Sequence, residues 1–223
     1  MGKGCKALAL GALLVTPLLA DAALVDRGGG LIYDTTLNIT WLQDANYAKT
    51  SGYDSDGRMR WPTAKAWADS LSFGGYNDWR LPTIIDTGAP GCDYSFSGTD
   101  CGFNVDPSTS EMASLWYGTL GNKGQYTTGG FAQPGWGFAN TGPFINAQSD
   151  LYWSSTEYAP VPGDVWVFIT HTGGQNAYGD LSEIYAWAVR DGDVVPAVPL
   201  PAAAWLLLSG LAGLGFLGRR NRH

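Results

Sequence analysis

Tyr152-Trp153-Ser154-Ser155-Thr156, Val165-Trp166-Val167-Phe168-Ile169 and Tyr185-Ala186-Trp187-Ala188-Val189-Arg190 decide the fold class of this chain. Each run is short, rich in aromatic and β-branched residues, and bounded by Gly, Pro, Asp or Ser, so the set reads as three antiparallel strands. Working outward, Leu31-Ile32-Tyr33-Asp34 and Ile39-Thr40-Trp41-Leu42 read as two more strands around an Asp/Thr/Asn turn. Residues 61–71 predict a helix, with Pro62 in the first turn, Ala64, Trp67, Ala68 and Leu71 on one face, and Gly74-Gly75 as its stop. Residues 108–120 predict a second, opened by the capping-box string Ser108-Thr109-Ser110-Glu111, with Met112, Leu115, Trp116 and Leu120 on the apolar face. Residues 124–149 are rich in Gly, Thr, Asn and Pro and read as loop. The expectation is an α+β domain of two helices, short antiparallel strands and long loops. Trp41, Trp67, Trp79, Trp153, Trp166 and Trp187 are its candidate core.

Charge narrows the function classes. The 223 residues carry a net −7, but residues 24–198 hold 8 basic against 19 acidic residues, leaving that stretch at −11. Such a surface argues against nucleic acid, whose phosphates require clustered Lys and Arg, and against adhesion to anionic lipid. The same stretch holds nine Trp, eleven Tyr and seven Phe, which excludes a disordered chain.

The two ends read as addresses. Lys3 and Lys6 precede an apolar stretch at 7–19, and Ala20-Asp21-Ala22 places small residues at a cleavage site, so residues 1–22 have the layout of a secretory signal peptide. At the other end no charge occurs from Val194 through Gly218, and 201–218 as a helix extends about 27 Å. That just spans a hydrocarbon core, and the arginines that follow keep the tail cytoplasmic and the middle domain outside. Val198-Pro199-Leu200-Pro201, an apolar helix and the cluster Arg219, Arg220 and Arg222 together resemble the PEP-CTERM sorting signal in its VPLPA variant. Leu200 stands where the commonest form has Glu. The resemblance implies recognition by an exosortase in a Gram-negative bacterium that makes exopolysaccharide, with anchorage in the inner membrane facing the periplasm and then release to the cell surface or matrix. The division is signal peptide 1–22, domain 23–192 and sorting signal 193–223.

Within the domain, Cys92 and Cys101 read as a disulfide, since export places them in an oxidising compartment. A metal–thiolate pair is the alternative, and it lacks partners because His171 is the one internal His. No Gly-x-Ser-x-Gly elbow accompanies that histidine. Asp54-Ser55-Asp56-Gly57 matches the start of a calcium loop, but the twelfth position is Lys65 instead of Glu. An Asx-rich turn is the preferred reading, with calcium at Asp54 and Asp56 left open and no other cofactor expected. Asp78 is expected to pair locally, with Arg80. Glu157 is the best single acid for glycoside hydrolysis, though a structural contact with Arg80 or Arg190 is the stronger expectation. Among loop aromatics, Tyr94, Tyr126 and Trp136 are candidates to stack on sugar rings.

Three segments in order carry a second resemblance: Gly30-Leu31-Ile32-Tyr33-Asp34 with Thr40-Trp41-Leu42; Asp78-Trp79-Arg80-Leu81-Pro82-Thr83 with a Glu-led helix after it; and Tyr152-Trp153-Ser154-Ser155-Thr156-Glu157 with a strand ending Ala188-Val189-Arg190. Together they resemble the Lcl C-terminal domain family over residues 28–192. Here Glu111 follows an insertion that carries both cysteines. The resemblance implies a C-type-lectin-like fold and glycan binding in adhesion or biofilm formation. The expected function is therefore a non-enzymatic, exported surface or matrix protein that binds extracellular polysaccharide. A polysaccharide hydrolase and a ligand-free matrix scaffold are the alternatives.

Overall fold

A computed structural model describes residues 24–88, 92–93 and 99–194. The signal peptide, Tyr94 and the sorting signal beyond Val194 lie outside the described residues. Strands β1 (Leu24–Gly28), β2 (Leu31–Asp34) and β3 (Ile39–Leu42) form an antiparallel meander. Asp34 builds the β2–β3 turn: its Oδ1 accepts from the N–H groups of Thr36 at 2.9 Å and Leu37 at 3.2 Å. This is the Asx turn that the Asp/Thr/Asn string predicts. A single helical turn, α1 (Tyr47–Thr50), and the short strand β4 (Arg58–Met59) follow. Helix α2 (Trp61–Ser70) starts with Pro62 in its first turn and buries Ala64, Trp67 and Ala68, close to the predicted bounds. The Trp61 indole N–H donates to the Ser154 carbonyl at 2.9 Å and ties α2 to a later strand.

The second predicted helix is broken. After β5 (Gly102–Phe103), a 3-10 turn covers Pro107–Thr109, then α3 (Glu111–Ala113) runs directly into a π-helical segment at Ser114–Thr119. The cap is Ser110, whose backbone is extended and whose hydroxyl accepts from the Ala113 N–H at 3.2 Å. Glu111 takes no part in a capping box, because its carboxylate is engaged by Arg80 and by the Thr83 N–H. The predicted face survives, with Met112, Leu115, Trp116 and Leu120 all buried.

The last third supplies β6 (Leu151–Glu157), β7 (Asp164–Ile169), β8 (Gly174–Gly179), β9 (Ile184–Tyr185) and β10 (Val189–Asp191). The larger sheet has the order β4-β9-β6-β7-β8-β5 and the smaller β1-β2-β3-β10. Two expectations need correction. The run 185–190 is not one strand: it leaves the large sheet after Tyr185 and enters the small one at Val189. Ala186, Trp187 and Ala188 are all buried in succession, which an alternating strand with one exposed face does not allow. Trp187 instead wedges between the sheets, 5.1 Å from Trp41 and 4.7 Å from Phe144, ring centre to ring centre. Nor are the three predicted strands all antiparallel, because β9 meets β6 in parallel through Tyr152 and Tyr185. The six predicted core tryptophans are each at most 2% exposed. The protein is α+β, mostly sheet with few helices, and among the described residues no helix is long and apolar enough to cross a membrane.

Candidate functional site

Arg80 and Arg190 set the frame. Arg80 donates from two nitrogens to Glu111, each at 2.8 Å, and to Asp191 at 2.5 Å. Arg190 donates twice to Asp78, at 2.8 and 2.9 Å, and lies 4.1 Å from the centre of the Tyr76 ring. Asp78 therefore pairs across the fold and not with its neighbour Arg80, since the extended backbone of β10 brings the Arg190 guanidinium to it. The Arg190 hydrogen bonds hold the Asp78 carboxyl below the usual carboxylate range. Both arginines are taken by other acids, so the expected contact with Glu157 is absent; that side chain is exposed at the end of β6.

From this frame the chain runs through Thr83 and Ile84 into a cleft of about 510 Å³ beside the disulfide. Cys92 and Cys101 are bonded, with Cα atoms 4.5 Å apart. The Asp93 N–H donates to the Cys101 carbonyl at 3.0 Å and the Phe103 N–H to the Asp93 carbonyl at 3.2 Å, so the crosslink and a local bridge together fix one wall. Asp100, beside Cys101, is 2% exposed. Its Oδ2 accepts from the Thr87 N–H at 2.6 Å and the Thr87 hydroxyl at 2.7 Å, and fully buried Gln175 donates to its carbonyl at 2.6 Å. Its Oδ1 is buried and has no hydrogen-bond partner among the described residues.

The opposite wall carries Asn104, Asp106 and Thr109, with buried Val105 between them. Asn104 has a left-handed backbone, φ 52°, and donates through Nδ2 to the Tyr126 carbonyl at 2.9 Å. Its N–H donates to the Tyr117 hydroxyl at 3.2 Å, and that hydroxyl donates to Gly173 at 2.5 Å. Burial pushes the Tyr117 phenol up to about 12, so it remains a neutral donor. Asp106 accepts from the Ser108 N–H at 2.9 Å, which holds its carboxyl below the ordinary range. Among the described residues the lining thus offers hydroxyls, one amide and two carboxylates, and no Lys or Arg. An anion would meet only repulsion there; a neutral polyol would find acceptors for its hydroxyl protons.

The predicted site residues divide. Tyr126 does not line the cleft but touches a residue that does: it is half-buried, its ring packs edge-on against Phe103 at 5.0 Å, and Asn104 holds its carbonyl. Trp136 is 45% exposed in the same loop but does not line the cleft. Asp54 and Asp56 form the Asx turn: Asp54 Oδ1 accepts from the N–H groups of Asp56 at 3.0 Å and Gly57 at 2.7 Å, and Asp56 Oδ1 from Arg58 at 2.9 Å. Among the described residues no three His, Cys, Asp or Glu side chains converge as a metal would require. Val198, Pro199, Leu200, Pro201, Arg219, Arg220 and Arg222 lie outside the described residues. Sequence reasoning missed Thr87, Thr99, Asp100 and Asn104. The one available signal was Asp100 itself, a carboxylate directly beside a crosslinked cysteine. Compared with protein-family models and with curated proteins, the chain matches none.

Proposed function

We propose that this chain is an exported surface or matrix protein, processed by an exosortase at its C-terminal signal, whose 23–192 domain is C-type-lectin-like and binds neutral extracellular polysaccharide. The observation that carries the binding reading is the lining of the cleft: among the described residues, Asp100 and Asp106 share it with Asn104 and with Thr87, Thr99 and Thr109, and no cation lines it. Carboxylate and amide acceptors of this kind satisfy sugar hydroxyls, and Asn104 ties the cleft to Tyr126 through the Tyr126 carbonyl. Export and sorting rest on the Lys-led apolar N-terminus, on Val198-Pro199-Leu200-Pro201 and on the terminal arginines. The resemblance of Asp78-Trp79-Arg80-Leu81-Pro82-Thr83 and its companion segments to the Lcl C-terminal domain supports the lectin-like fold.

The full chain in single-copy nanodiscs, tested on a panel of neutral and acidic polysaccharides with calcium and with chelator, examines this directly. Saturable binding to a neutral glycan, unchanged by chelator and weakened at least about tenfold by Asp100→Asn, is the expected result. Loss on chelation would move the site to the Asp54–Asp56 turn, and no binding would leave a ligand-free matrix protein. The hydrolase reading draws on Asp100 and Asp106 sharing one cleft. Glycoside hydrolysis needs one acid protonated and one ionised, and the Ser108 N–H holds Asp106 ionised. Release of reducing ends from the panel would favour the hydrolase.

A further inference from the structure

The six-stranded sheet has two edges, and the cleft described above belongs to the β5 edge. At the other edge, where β4 pairs with β9, lies a second hollow of about 360 Å³. Tyr185 of β9, Asp56 just before β4, Lys49 of α1, and Asn146 and Gln148 from the loop before β6 line it, with Asn46 in its wall. Asn46 is 5% exposed; its Nδ2 donates to the Asp56 carbonyl at 3.2 Å, and its buried Oδ1 has no hydrogen-bond partner among the described residues. The Asn146 amide donates to Asp44 at 3.0 Å and the Gln148 amide to the Asn146 carbonyl at 2.6 Å, so both side chains are fixed. Lys49 is exposed and enters no salt bridge among the described residues. Ammonium, carboxylate, amides and phenol thus face one hollow whose Lys49 and Asp56 charges cancel. That set matches a neutral sugar unit, which presents donors and acceptors together and no net charge.

We infer that this second hollow holds a second neutral saccharide unit, so that one domain engages two polysaccharide segments and cross-links them. The inference rests on the reading that the β5-edge cleft binds such a sugar. The two hollows share no lining residue. Four strand spacings separate β9 from β5, roughly 19 Å at about 4.8 Å each, so a single sugar unit cannot touch both.

The test uses the full chain in single-copy nanodiscs, titrated calorimetrically with short oligosaccharides from partially hydrolysed cellulose, dextran and alginate. Two equivalents of a neutral oligosaccharide per chain are expected. Asp100→Asn leaves one, and Lys49→Met with Gln148→Ala leaves the other; Lys49→Met alone serves if the double variant misfolds, because Lys49 is exposed. Mixed with the intact neutral polysaccharide, the parent raises light scattering, and each single-site variant loses most of that rise. One equivalent in the parent, abolished by Asp100→Asn, overturns the second site and leaves the first standing. No binding of any oligosaccharide overturns both readings, and binding of alginate alone overturns the neutral-sugar assignment.

Discussion

Arg80 reaches three parts of the chain at once: its own Asp-Trp-Arg-Leu-Pro-Thr string, Glu111 at the start of α3 and Asp191 in β10. Glu111 also receives the Thr83 N–H at 2.7 Å, so its loss strands both a guanidinium and a backbone donor. Glu111→Ala should cost about 2–3 kcal/mol in urea unfolding, the scale of paired hydrogen bonds to a charged group; a loss below about 0.5 kcal/mol would contradict that role. Asp34 behaves oppositely. Burial is the main influence on its carboxyl and lifts it above the ordinary range, against the pull of the Leu37 and Thr36 N–H groups. Its protonated form therefore favours the fold, and that stability is lost as pH rises from the unfolded value, about 3.9, through the raised folded value. Asp34→Asn, which cannot titrate, should gain in melting temperature on the parent across that window. A difference that stays constant with pH would contradict it. At this scale the tryptophan core was legible, because large apolar rings have few places to go except inside. The acid partners of Arg80 and Arg190 were not, since charge pairing depends on which backbone segments the sheets bring together.

Among elements, the disulfide-closed wall and the α1–β4 turn matter most. Cys92 and Cys101 are nine residues apart in sequence, and opening so short a loop should cost about 2–3 kcal/mol by loop-closure entropy. Because Thr99 and Asp100 sit in that wall, joint Cys92→Ser and Cys101→Ser replacement should also weaken glycan binding; unchanged affinity would show that the crosslink does not shape the cleft. Gly57 adopts φ 88°, and a Cβ there would collide with the Asn46 Oδ1. Gly57→Ala should lower the melting temperature by several degrees, an effect of about 1–2 kcal/mol, and a neutral outcome would contradict the packing of that turn. Strands β2, β3, β6 and β7 were legible from their aromatic and β-branched runs. Strand β8 was not, because Gly174-Gln175-Asn176-Ala177-Tyr178-Gly179 contains no β-branched residue and a single aromatic one; it is held by full pairing with β7 and by the buried Gln175 amide. The 108–120 helix was legible as a buried face and not as a helix type, because its start competes with Asp106 and Ser110, each of which caps a different N–H.

At the scale of the whole molecule, residues 24–198 carry −11 and the described residues that line the β5-edge cleft include no cation, which is why the proposed ligand is neutral and not a phosphate, sulfate or uronate. The acidic balance was plain in the sequence. The cleft was not, because its walls come from residues 87, 99–100 and 104–109, brought together by a disulfide, a buried Gln and a sheet edge. The claim that this cleft is the binding site is tested most directly by amide NMR spectra of the full chain in nanodiscs, titrated with a neutral oligosaccharide. Saturable shifts at Thr87, Thr99, Asn104 and Tyr126 are expected in the parent, with their loss in Asp100→Asn. Saturable binding that leaves those four signals unmoved would contradict it.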